Sequence, residues 1–68
     1  MENRIKEIRE HKGLKQVDLA IKVGISQSNL SFYEKGGRCS RHTAERIAGA
    51  MGRTIENVFP GIKFNREA

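Results

Sequence analysis

The sequence predicts an all-α domain built from five short helices. Three observations predict it. Apolar residues recur at spacings of three and four in successive short runs. Glycines close the longer runs, at Gly13, Gly24, Gly36-Gly37 and Gly52. No stretch alternates apolar and polar residues as a strand would until Ile62-Lys63-Phe64, which is too short to decide. At 68 residues the chain makes one small domain, whose core supplies only a few kcal/mol of net stability.

The elements follow in order. Asn3 is a candidate cap for the first helix, which turns Ile5 and Ile8 inward. Gly13 ends it, and Leu14 is placed to pack back on its last turn. The second spans residues 15–23 with Leu19, Ala20 and Val23 inward; Lys15 gives its start no side-chain cap. Ser26 is placed to cap the third, residues 27–35, which turns Leu30, Tyr33 and Glu34 to one side. Ser40 caps a fourth that runs to Met51, with Ala44, Ile47, Ala48 and Met51 inward. Thr54 opens a short fifth with Ile55, Val58 and Phe59 apolar, and Pro60-Gly61 closes it. Residues 65–68 read as a frayed end.

Nine residues, Gln16-Val17-Asp18-Leu19-Ala20-Ile21-Lys22-Val23-Gly24, say most about function. Ala20 lets another helix cross closely. Gly24 supplies a turn with φ > 0, and Ile25-Ser26-Gln27 leads straight into the next helix. Two short helices on a glycine-containing turn form the unit that sets a recognition helix into the DNA major groove. The charge agrees: 13 Lys and Arg against 8 Asp and Glu give +5, which favours a polyanion, nucleic acid before an anionic membrane.

The same residues resemble a known family. Gly13-Leu14-Lys15-Gln16, Asp18-Leu19-Ala20, Val23-Gly24-Ile25-Ser26-Gln27, Leu30-Ser31, Tyr33-Glu34-Lys35-Gly36, Ile47-Ala48 and Ala50-Met51-Gly52 are similar to the Cro/CI-type (XRE) helix-turn-helix regulators, over about residues 5–59. The resemblance implies a compact five-helix, lambda-repressor-like domain that binds operator DNA, usually as a symmetric dimer. It also implies an ion pair between Arg9 and Glu34 that links the first helix to the third. Three positions depart from the pattern: Lys15 where Thr is frequent, Cys39 where Pro is frequent, and Arg53 where Val is common. They lead us to expect an uncapped second helix, a looser loop around Cys39 and a less buried position 53.

Setting the third helix at about 100° per residue with Leu30 inward puts Ser28 and Phe32 nearly opposite, with Ser31 and Lys35 beside them and Gln27 in the first turn. Family positions matching Gln27, Ser28, Ser31 and Phe32 are those that meet bases or nearby phosphates. The Gln27 amide carries both donor and acceptor and suits adenine; Ser28 suits a base, a phosphate or the helix start. Phe32 has three readings: a thymine-methyl contact, a wedge against a sugar, or a ring folded on a neighbour. Gln16 opens the second helix, where side chain and backbone N–H can hold a phosphate. Lys15, Lys35, Arg38, Arg41 and Asn29 are further candidates for the backbone, each with a plain solvated reading beside it. Val58, Phe59, Ile62 and Phe64 crowd one end and are the candidate dimer surface.

No carboxylate pair, His–Cys metal spacing or phosphate-binding glycine loop occurs, so neither catalysis nor a cofactor or metal is expected. A lone cysteine, no membrane-length apolar run and no apolar signal core suit a cytoplasmic protein. The expected function is a sequence-specific regulator of transcription, a repressor by preference. It has a DNA-binding domain at residues 1–60 and a tail at 61–68 as candidate dimer contact. Its partners are a palindromic DNA operator and a second copy of itself, with no membrane or small-molecule ligand. The alternative is an antitoxin that binds a partner protein as well as its own operator.

Overall fold

The computed structural model describes residues 1–64; the expected fraying of 65–68 lies outside them. Five helices form in the order α1 (Ile5–His11), α2 (Gln16–Val23), α3 (Gln27–Glu34), α4 (Arg41–Ala50) and α5 (Ile55–Val58), and no strand occurs among the described residues. The expected ends at Lys15, Lys35 and Met51 each fall one residue outside their helix, as flanking cap positions.

Local chemistry sets these ends. Asn3 Oδ1 accepts from the Ile5 N–H at 3.0 Å, and its Nδ2 donates to the Tyr33 carbonyl at 2.9 Å. Arg4 takes the cap position, without a side-chain cap bond; Asn3, one residue earlier than a cap, serves the first N–H of α1 and ties that helix to the end of α3. Ser26 Oγ accepts from Asn29 N, Ser40 Oγ from Thr43 N and Thr54 Oγ1 from Asn57 N, at 3.0, 3.1 and 3.1 Å. Each serves a donor the helix itself cannot use, worth about 1 kcal/mol. Lys15 cannot do this, because an ammonium has no lone pair. Instead the Asp18 carboxylate accepts from the Lys15 N–H at 3.0 Å, half of a capping box.

The turn after α2 needs its glycine. Gly24 sits at φ 85° and ψ 34°, and its N–H and that of Ile25 both donate to the Ala20 carbonyl. Arg46, reaching across from α4, donates to the Val23 carbonyl, so a cation closes the negative end of α2. The motif's turn is thus held from outside the motif.

Ile5, Ile8, Leu19, Ala20, Val23, Leu30, Ala44, Ile47, Ala48, Met51, Val58 and Phe59 form one core. Packing runs from α3 through α2 and α4 to α5. Ala20 is buried where α2 meets its neighbours, as its small size allows. Two expectations change. Cys39 sits in the loop before α4, as expected, but its side chain is buried in the core, so that loop is anchored there. Burial pushes its thiol pKa up, against a smaller pull from the N-terminal ammonium, so it is a neutral packing group. Val58 and Phe59 are 0% and 1% exposed and offer no surface to a second copy. Phe59 also meets Phe64 edge-on, with centroids 5.5 Å apart. Arg53, as expected, stays half-exposed and donates to Asn57 Oδ1 at 3.0 Å.

Candidate nucleic-acid interface

The site begins with a buried pair. Arg9 on α1 meets Glu34 at the end of α3 through two contacts, Nε–Oε2 at 2.7 Å and Nη2–Oε1 at 3.2 Å. Its Nη1 donates to the Leu14 carbonyl at 3.0 Å. The two side chains are 9% and 5% exposed. The forked guanidinium matches the carboxylate, and no buried side-chain nitrogen or oxygen among the described residues is left without a partner. The expected structural pair is present, and it fixes where α3 sits relative to α1.

The pair extends to the surface. Gln16 Nε2 donates to Glu34 Oε1 at 3.1 Å, and Gln27 Nε2 donates to Gln16 Oε1 at 3.2 Å. The carboxylate only accepts, so it fixes which end of the Gln16 amide faces it; Gln16 Oε1 in turn fixes Gln27. Gln27 is left with Oε1 and one N–H for a ligand, the acceptor and donor that the major-groove edge of adenine requires. Gln16 spends its amide on this relay, and its backbone N–H at the first position of α2 remains for an anion.

Around Gln27 the outer face of α3 is open. Ser28 and Asn29 are exposed, Ser31 is half-buried, and Phe32 is 57% exposed. Lys15, Lys35 and Arg38 are exposed cations. Arg41 is half-buried and paired with Glu45 at 3.0 Å. Arg38 and Arg41 line one groove at the start of α4 with His42 and Lys63, so the structure adds Lys63 to the candidate cations. Ile62 and Phe64 are half-buried against the core and keep part of their surface. Sequence reasoning missed Arg46; nothing in a run of helical residues marks one arginine as the closure of another helix.

The comparisons with known proteins agree with this geometry. The Helix-turn-helix family model matches residues 5–57. A protein of Archaeoglobus fulgidus described as an uncharacterized HTH-type transcriptional regulator is 38% identical over 60 residues, covering 87% of this chain and 86% of that one. Among solved structures, a SinR protein/SinI protein complex superposes with a TM-score of 0.78 at 27% identity, over 85% of this chain. The match spans 58% of the matched chain of that complex. SinR, the master regulator for biofilm formation, in complex with DNA gives 0.73 at 29% identity, over 78% of this chain and 87% of that one. With the two helices, their glycine turn and the α1–α3 pair all in place, the chain belongs to the Cro/CI-type (XRE) helix-turn-helix family of transcriptional regulators.

Proposed function

We propose that this chain is a sequence-specific DNA-binding regulator, a repressor by occlusion, that lays α3 in the major groove of a palindromic operator as a homodimer. One observation carries the reading: Gln27 stands exposed at the start of α3 while a relay from a buried ion pair fixes its amide. A merely solvated glutamine has no need of such orientation. The structural likeness to SinR bound to DNA supports it. Residues 1–60 form the DNA-binding part, and Ile62 and Phe64 supply the contact between copies. Two protomers are needed because one motif reads one half-site, and half-sites lie about 34 Å apart. A second reading, an antitoxin or other regulator held by a protein partner, draws on the SinR structure that contains SinI.

Random-site DNA selection is the test, followed by titration of the selected and scrambled duplexes at two salt concentrations. A palindromic consensus is expected, with affinity falling as salt to a power of about 0.9 per phosphate contacted. Equal affinity for every duplex removes the proposal.

Readout and positioning separate by mutation. Gln27→Ala is expected to cost about 1–3 kcal/mol on the selected site and to relax preference at one base pair. Lys35→Ala should weaken all duplexes alike and lower the salt slope by about 1. A Gln27→Ala protein with wild-type discrimination would assign the reading to other residues.

A further inference from the structure

Two consecutive glycines end α3, and they differ in kind. Gly36 has φ 105°, a conformation that favours glycine. Gly37 lies outside the left-handed region, so its backbone makes no such demand. Its requirement is spatial. A Cβ at position 37 would lie well under 3.0 Å from three ring carbons of Phe32, namely Cδ2, Cε2 and Cζ. The Gly37 N–H also donates to the Phe32 carbonyl at 2.8 Å. The ring is therefore seated on the bare backbone of residue 37, and the Tyr33 ring lies beside it, tilted by 59° with centroids 5.7 Å apart. More than half of it remains open to solvent, one helical turn beyond Ser28 on the outer face of α3.

From this we infer that Phe32, held on Gly37, is a specificity residue that recognises the 5-methyl group of thymine, and that Gly37 is its positioning residue. The inference rests on the DNA-binding reading above. The thymine methyl is the apolar feature that base edges display in the major groove. A ring laid back on the end of its own helix offers a broad surface to such a group. A wedge between base steps would instead have to project from the helix.

The test uses the selected duplex with each dT replaced in turn by dU, which lacks only the methyl. Affinities are measured for wild type, Phe32→Ala and Gly37→Ala. Wild type is expected to lose about fourfold at one thymine per half-site, the worth of one buried methyl-sized group. Both variants should lose that difference while keeping the wild-type response at every other thymine. Phe32 is an exposed side chain and Gly37 needs no left-handed backbone, so both variants should melt near the wild-type temperature. If no thymine matters more to wild type than to Phe32→Ala, methyl recognition is overturned. If only Phe32→Ala loses the difference, the role of Gly37 is overturned. Absence of any selected sequence removes the DNA-binding reading itself, a distinct result.

Discussion

Glu34→Ala should unfold this domain under conditions where the wild type is folded. The substitution leaves the Arg9 guanidinium, 9% exposed, without its carboxylate. Removing one partner of a buried pair costs about 3–5 kcal/mol, because the remaining charge keeps its desolvation penalty. A core of this size supplies only a few kcal/mol in all. Arg9→Ala should cost a similar amount, since Glu34 then keeps only the Gln16 amide as partner. Replacing both with apolar residues of similar volume is different: with no charge left to strand, stability should largely return. Specific binding should not return, because Gln16 loses the group that orients it. Urea unfolding of the single and double variants, with the duplex titration beside it, reads both. Single variants as stable as wild type would mean that the pair is not buried in solution.

Phe59→Ala is expected to be comparably severe, at about 3–5 kcal/mol, through loss of a fully buried ring and the cavity left behind. Its loss should not depend on protein concentration, which separates a core residue from an interface residue. The proposed contact between copies is read by Ile62→Asp with Phe64→Asp. Sedimentation with the selected duplex is expected to show two protomers for wild type and one for that double variant. Phe64 also touches Phe59, so some loss of fold stability accompanies it. A Phe59→Ala protein that stays folded but dissociates would return Phe59 to the interface. An unchanged assembly in the double variant would remove the tail from it.

The helices were legible because their signals are local. Ser26, Ser40 and Thr54 each cap the helix expected of them, and the inward residues of all five helices are buried or half-buried as the spacing predicts. Gln27, Ser28 and Phe32 stand on the open face for the same reason: about 100° per residue fixes a face once Leu30 is inward. What sequence could not give depends on how elements meet. Val58 and Phe59 looked like a surplus of apolar surface because a four-residue helix has little to bury by itself; α4 packs against that helix and the Phe64 ring meets Phe59. Cys39 lies in the loop before the fourth helix, as expected, but its burial was not legible because the loop's inward turn is set by packing rather than by its own residues. The relay from Glu34 through Gln16 to Gln27 joins the two ends of α3 through a residue of α2, and no spacing rule announces it.

That relay also constrains how such a protein could acquire a new target. On the proposed reading, exchanging Gln27 would change the letter it reads, and it disturbs only the outermost hydrogen bond. Exchanging Gln16 strips an anchor from Gln27 and a partner from Glu34 at once, so one change alters preference and fold together. Ser28 and Phe32 take no part in the relay. Drift toward a different operator therefore has an inexpensive route through positions 28 and 32, and a selection library confined to those two should yield folded proteins with altered preference far more often than one that includes position 16.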